Sequence, residues 1–582
     1  MPETQIPVAW VYDELAHEAA RDDWRNFWSL YVEELLPRLG LLRPQRIQRS
    51  QLAAALSPRL SALIIPRGLS APLTDEELAA LERWVRAGGM AICLAAPGAE
   101  QLIGGEVQQQ VEQPGDEFSA SALIEYLGRG RRWACLEPGE NVRSPVISPL
   151  RIVSAPTAET LAFAVPIGGE GPSLGPAISL ARLGEGWVSY WAFDLAQCAW
   201  AAMQGRPVYF DRDGDGYLRT VDAIILGEFD LHYPHVDLLL YMLRGLLGLA
   251  GLSMIDVMPP LDGQPADCLI YIGGDEEAAK GTAAWASRWM SRRGLPYHVN
   301  ILPDPQGNFA CTAAEVEEIR GRGHEVSLHF NMMDGFTHPS PFSEEDVRRQ
   351  VEWFRARFGF TPNTVVFHWV RWVGWAEPAV WMASCGIRGD NSRLHVPGPG
   401  LNPTNRLGYG FGTALPYRPW TDWHDGNRRL DIVYQPITAY EVGYNREDES
   451  NDYSEQNLAL EHAVKWRTML NLFYHSVLIT WSPACRRAIE HAQQWLEERA
   501  VRAVLVGNDR LTDWWNAREQ IEVASEGDRH SVSILVNCPW PDGCVLRVPC
   551  AWRADVEGVK SDGDWLLVPC GQGKTVIALR RD

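Results

Sequence analysis

The chain has 582 residues, 46% of them apolar and 22% charged, which fits a folded protein of two or three domains and excludes a disordered or fibrous one. Its 53 basic and 74 acidic residues leave a formal charge of -21, which repels nucleic-acid phosphates and anionic lipid, and no basic patch is long enough to override it.

MPETQIPVAWVYDELAHEAARDDW opens the chain with no basic segment ahead of an apolar run, and no stretch approaches about eighteen continuous apolar residues. The eleven cysteines form no close CxxC pair. These features predict a cytoplasmic protein with reduced thiols and neither a membrane nor a nucleic-acid partner.

Residues 1–250 alternate short apolar runs with amphipathic helices, as in ALIIPRG, LTDEELAALERWVRAG and GMAICLAAPG. Thr74 with Glu76 and Glu77 can start the helix and Gly88 and Gly89 can stop it. The segment resembles the glutamine-amidotransferase-like α/β fold. Amidotransferase chemistry needs a cysteine on a sharp elbow. Cys93 lies inside AICLA, so a non-catalytic role is expected, with a flat surface available for homo-oligomer formation.

DRDGDGYLRTVD follows. Asp211, Asp213, Asp215 and Asp222 stand at positions 1, 3, 5 and 12 and Gly216 at position 6, the spacing with which alternate oxygens wrap calcium. Arg219 stands where an oxygen or water contact is usual. The proline-rich stretch 251–264 reads as a linker.

From 265 to 514, CLIYIGG, YHVNILP, HEVSLHF, TVVFHWV, GIRGD, LDIVYQP and SVLITWSP are strand candidates, separated by helices such as AEVEEIRGRG and SEEDVRRQVEWFRARFG. This predicts a distorted β/α barrel with its chemistry at the C-terminal strand ends. Residues 515–582 alternate as short strands and predict a small β-sandwich-like domain. The expected fold class is thus multidomain α/β. GQGKT, at 571 to 575, lacks the first glycine of a phosphate loop and any following helix, so nucleotide binding is excluded.

The predicted strand ends gather Asp275, Glu276 and Glu277 after the first strand, His329 after the third, His368 at the fourth, and Asp390 and Asn391 at the fifth. Mixed carboxylate and imidazole donors suit a divalent transition metal such as zinc, which activates water for amide or ester hydrolysis. IGGDEE, GHEVSLH and SVLITWSP, spanning about 265–485, resemble the polysaccharide deacetylase family. That resemblance implies metal ligation by Asp275 and His329 and an acylated carbohydrate or glycoconjugate as substrate.

Gly274 stands where the family's catalytic-base Asp is expected, Met333 where its second metal-binding His would be, and Ser482 near its terminal His. Glu276 or Glu277 is then the candidate base, and Asp334, His338 or His368 the candidate to complete the ion's shell. FHWVRWVGW, GIRGDN and DIVYQPIT resemble a divergent branch of the family, which implies that His368, Asp390 and Gln435 face one cavity.

Trp372 and Trp375 at three-residue spacing, and Tyr417, Trp420 and Trp423 in TALPYRPWTDWHD, are candidate sugar platforms, with Asn391 and Gln435 as polar contacts. His338 reads as a loop residue. His475 reads as structural, because it would begin the last strand at the end away from the site. Two other functions fit the residues: a glycoside hydrolase pairing Asp275 or Glu276 with Asp390, and a catalytically silent glycan-binding or assembly protein.

Overall fold

The computed structural model describes residues 6–397, 405–527 and 530–581. The architecture is multidomain α/β, with a curled, distorted central sheet and separate sheets toward each end of the chain. No helix among the described residues is long and apolar enough to cross a membrane.

The first 250 residues build a nine-stranded sheet. Its parallel half contains Ile6–Tyr12, Leu60–Ile65, Met90–Leu94 and Gly186–Trp191, and its other half is antiparallel. The expected helix forms at Asp75–Arg86, where Thr74 and Glu77 make a reciprocal capping box. Cys93 is fully buried, and burial pushes its thiol up to about 12, which removes it as a nucleophile.

The stretch read as a linker is tied down. Met254–Ile255 pairs with Cys544–Pro549 of the terminal sheets, and buried Asp256 meets Arg467 at 2.9 Å and Arg547 at 3.3 Å. Beyond it, six of the seven predicted barrel strands form: Cys268–Asp275, His298–Ile301, Glu325–Phe330, Thr364–Phe367, Gly389–Arg393 and Val433–Pro436. They lie side by side in that order except that Cys268–Asp275 also pairs, on its other side, with Met469–Phe473.

Chain continuity curls this sheet into a barrel. Val433–Pro436 pairs with Gly389–Arg393 at one edge, and Ala439–Tyr440 pairs with Met469–Phe473 near the other. Only Ile437 and Thr438 separate the two pairings, so the edges must meet. The Tyr271 hydroxyl donates to the Pro436 carbonyl across the inside.

SVLITWSP is a correction. Ser476–Trp481 is a helix, and the last barrel strand is the preceding apolar run, Met469–Phe473. Val477, Leu478 and Ile479 are consecutive apolar residues without alternation, a pattern open to either structure, and Ser482 caps the next helix at Pro483. The consequence for His475 is large: it follows a strand's C-terminal end instead of preceding one.

Alternation along the strands separates two faces. Ile270, Ile272, Val299, Ile301, Val326 and Leu328 pack in the same core as the covering helices. Tyr271, Gly273, Asp275, His298, Asn300, Glu325, Ser327 and His329 take the inner face. The helix Asn508–Glu519 closes the floor at the strand starts, where Thr364 N–H donates to Asp509 Oδ1 at 2.9 Å. The expected end strands form at Glu522–Gly527, Ser531–Cys538, Cys544–Pro549, Trp565–Cys570 and Gly573–Arg580, in two four-stranded sheets sharing one core.

Candidate metal centre

Five side chains converge at the C-terminal ends of the barrel strands: Asp275, Glu277, His329, His368 and His475. Asp275 ends the first strand, Glu277 lies two residues on, His329 is near the end of its strand, and His368 and His475 follow theirs. Together with Trp369, Tyr440 and Arg446, four of them line a cavity of about 340 Å3.

Their donor atoms form a compact set. His329 Nε2 lies 3.3 Å from Asp275 Oδ2 and 3.7 Å from Glu277 Oε1. His475 Nε2 lies 3.3 Å from Glu277 Oε1 and 3.9 Å from Asp275 Oδ2. Donors about 2.1 Å from a tetrahedral ion are about 3.4 Å apart, close to these edges, and the sets within mutual ligand reach are two triads that share Glu277: Glu277, His329 and His368, and Asp275, Glu277 and His475. The second Glu277 oxygen meets His368 Nε2 at 3.2 Å.

Outer contacts orient the rings. His329 Nδ1 is 3.2 Å from the Val366 carbonyl, and His475 Nδ1 is 2.6 Å from Glu441 Oε1. Each Nδ1–H is therefore the donor to an oxygen, which leaves Nε2 directed at the carboxylates in the form a cation needs. Tyr444 hydroxyl holds the other Glu441 oxygen. His329 Nε2 is buried with no hydrogen-bond partner, as a ligand atom would be.

The electrostatics match a cation-binding cluster. Burial opposes ionisation of Glu277, but His329, His368 and His475 outweigh it and hold the carboxyl well below its usual range. Burial and Glu277 push Asp275 the other way, against His329 and His475. Burial opposes the charged form of His329, yet Asp275 and Glu277 raise it. Two carboxylates in one site are thus pushed apart.

Backbone strain collects at the same place. Glu277, Ala278, Trp369, Val370 and Glu441 all have positive φ, between 48° and 58°. Each such residue costs about 1–3 kcal/mol, a cost that persists where the surroundings demand the geometry. For Glu277 the result is a side chain turned back to three imidazoles.

Other predicted residues lie elsewhere. Glu276 is buried, accepts Ala278 N–H at 3.0 Å, and is pushed up to about 7 by desolvation; it does not line the cavity. Asp390 accepts from Ser392 Oγ at 2.5 Å inside the barrel, and burial, opposed by Arg393, raises it to about 6. Asn391 donates to the Gln435 carbonyl, and Gln435 donates to Thr512 Oγ1 and the Asn508 carbonyl on the floor helix. His338 bonds the Met333 carbonyl at 3.0 Å and Asp334 accepts from Asn331, so both serve their loop.

The expected aromatic platform is largely core. Trp372, Trp375, Tyr417 and Trp420 are each at most 3% exposed. Trp372 packs on Arg393 at 4.1 Å, while Trp375 and Trp420 surround Trp200 of the N-terminal region at 5.5 and 5.7 Å. Tyr417 hydroxyl donates to the Met203 carbonyl. These rings are more useful in joining two parts of the chain than in meeting a solute. Trp423 stacks on Trp24 at 5.8 Å, and the aromatic wall of the cavity is instead Phe367, Trp369, Tyr440 and Phe473.

Gly274 has a reason to be glycine. A β-carbon there would overlap the Tyr474 carbonyl oxygen, because the last strand approaches so closely. No acidic base fits at that position. His475 and, behind it, Glu441 are the residues of the cluster that sequence reasoning missed; the unbroken apolar run MLNLF ahead of His475 was the available signal.

The acidic loop brings Asp211, Asp213 and Asp222 into ligand reach of one another. Asp215 differs from the calcium reading, since buried Arg219 pairs with it. Asp211 and Asp222 also accept backbone N–H groups from within the loop, as at Gly214 and Arg212. The loop braces the barrel: Leu218 carbonyl accepts from Trp372 N–H at 3.0 Å, and Tyr217 packs on Trp369 at 5.3 Å.

No family model and no curated protein matches the chain. Among solved structures, a β-galactosidase from Bacillus circulans sp. alkalophilus overlaps 34% of this chain and 30% of its own, with 16% identity and a TM-score of 0.26. An exo-β-1,4-mannosidase from Opitutaceae bacterium strain TAV5 overlaps 33% and 32%, with 14% identity and a TM-score of 0.23. Puue allantoinase overlaps 45% of this chain and 94% of its own, with 13% identity and a TM-score of 0.29. The chain spans about a third of the length of these glycosidases. Likenesses with TM-scores below 0.3 and identities of 13–16% assign neither family nor activity.

Proposed function

We propose that the chain is a metal-dependent hydrolase that removes an acyl group from a carbohydrate. The observation that carries the metal reading is the ring of Asp275, Glu277, His329 and His475 donor atoms with edges of 3.3 to 3.9 Å. The sugar and acyl group rest on the resemblance of IGGDEE and GHEVSLH to polysaccharide deacetylases.

These four side chains would hold a zinc-like ion, which when bound polarises a carbonyl and lowers the pKa of water. His368 lines the cavity and contacts Glu277 Oε2, so it is placed to move a proton between water and the leaving group. Glu441 holds His475 in the required tautomer. Trp369 and Tyr440 offer the substrate a partly apolar wall.

Metal content of the purified chain tests the reading. About one transition ion per chain, lost in His329→Ala and His475→Ala, supports it and directs a screen for acetate release from acylated sugars. No ion after supplementation sinks it.

A second reading is a glycoside hydrolase using Asp275 and Glu277. Its support is that the two carboxyls share a cavity and are pushed in opposite directions. Cleavage of aryl glycosides that persists in chelator and is lost in Glu277→Gln would establish it. Saccharide binding with neither activity would leave the glycan-binding alternative.

A further inference from the structure

The inner face of the barrel carries an unbroken polar chain from the floor to Asp275. Glu325 Oε2 lies 2.9 Å from His298 Nδ1, His298 Nε2 lies 3.0 Å from Asn300 Oδ1, and Asn300 Nδ2 donates to Asp275 Oδ1 at 3.0 Å. The strands fix this order: Asp275 pairs in register with Asn300, and His298 with Glu325. His298 and Asn300 are two residues apart on one strand and share its inner face.

With Asp275 ionised, as a metal ligand is, the bond directions follow. Asp275 as a carboxylate can only accept, so Asn300 must present its amide N–H to it and its carbonyl oxygen to His298. His298 Nε2 must then donate, while Nδ1 faces Glu325 and, at 3.7 Å, Asp509. Both ring nitrogens face oxygens. An imidazolium with Glu325 and Asp509 at Nδ1 and the Asn300 oxygen at Nε2 satisfies them all, and His298 is 1% exposed.

The same three groups, His298, Glu325 and Asp509, could be read as a second metal site. Their oxygens are already engaged. Glu325 accepts N–H groups of Asp509 and Arg510 at 2.8 and 2.9 Å, and Asp509 accepts from Thr364 at 2.9 Å. These bonds hold the Glu325 and Asp509 carboxyls in place against the ring.

We infer that His298 and Asn300 are positioning residues that clamp Asp275, so that Oδ1 is occupied and Oδ2 faces His329 and His475. This inference rests on the proposed metal centre. Without the clamp, Asp275 can rotate and the ion loses an aligned ligand, although no ligand has been removed.

Zn2+ affinity of the full chain tests it, measured by competition with a chromophoric chelator alongside thermal melts. Asn300→Leu and His298→Leu should each weaken Zn2+ binding about 10- to 100-fold, the range for outer residues that orient ligands. His298→Gln, which keeps a donor near Nε2, should stay within about threefold of wild type. The His298→Leu/Asn300→Leu pair should be no weaker than the poorer single variant, because one clamp has been broken twice.

Wild-type affinity in Asn300→Leu overturns the inference, even where His298→Leu fails to fold. So does equal weakening by His298→Gln and His298→Leu, or additive loss in the pair. Tight binding that His329→Ala abolishes but Asn300→Leu leaves intact defeats the clamp alone. No Zn2+ binding by wild type defeats the metal centre and the clamp together.

Discussion

Glu277 Oε1 lies 3.3 Å from His475 Nε2, joining a strained turn after the first barrel strand to the end of the last one. Neither residue has a partner within its own segment that would announce this meeting. The contact exists because Cys268–Asp275 and Met469–Phe473 are adjacent and parallel, which puts both C-terminal ends on one rim.

His475→Ala should abolish tight zinc binding, whereas Glu441→Gln should weaken it about 10- to 100-fold while retaining one ion at saturation. Chelator competition reads both. Equal, complete loss would make Glu441 more than an orienting group, and no loss in either would remove His475 from the site.

Gly274→Ala should prevent the last strand from docking. The added carbon meets backbone at Tyr474, which cannot rotate away as a side chain can. A destabilisation of about 3 kcal/mol or more, or failure to fold, is expected from denaturant melts, at or beyond the upper end of ordinary overpacking. A tolerated alanine would contradict the close strand approach.

Trp375→Ala should cost about 3–5 kcal/mol of stability, the range for a buried large aromatic. Trp375 stacks on Trp200 and its Nε1–H donates to the Gly205 carbonyl at 2.8 Å. Trp369→Ala, at the cavity wall, should instead lower saccharide affinity with a small change in melting temperature. The two variants separate aromatic core from aromatic lining.

Asp194 gives a pH-dependent stability test away from the site. Its carboxyl is fully buried and raised from 3.8 to about 6 by desolvation, against Arg67 and the N–H groups it caps. A raised folded-state pKa means that the favourable contribution is fully present below about pH 4 and lost as pH rises through about 6. Asp194→Asn keeps a capping oxygen without the charge. It should therefore stabilise the fold at pH 7 by about 2–3 kcal/mol, with the gain vanishing near pH 4. Urea melts at the two pH values check the sign.

Local signals were strong where a helix or strand could be specified by its own residues. The helix start read at Thr74 forms, the segments AEVEEIRGRG and SEEDVRRQVEWFRARFG become helices, and the alternating terminal segments become strands. GHEVSLH placed His329 at the rim because an apolar strand ends beside it. SVLITW failed because a short apolar run without alternation fits a buried strand or a helix equally well, and neighbours decide between them.

The sequence by itself determined the α/β class, most barrel strands and the placing of Asp275, His329 and His368 at strand ends. Tertiary structure alone decided that Glu277 turns inward, that His475 completes the cluster with Glu441 behind it, and that Trp372, Trp375, Tyr417 and Trp420 are core. The reason is physical. Strand and helix periodicity acts over a few neighbouring residues, whereas a ligand set, a buried charge and an aromatic contact depend on which distant strands lie side by side.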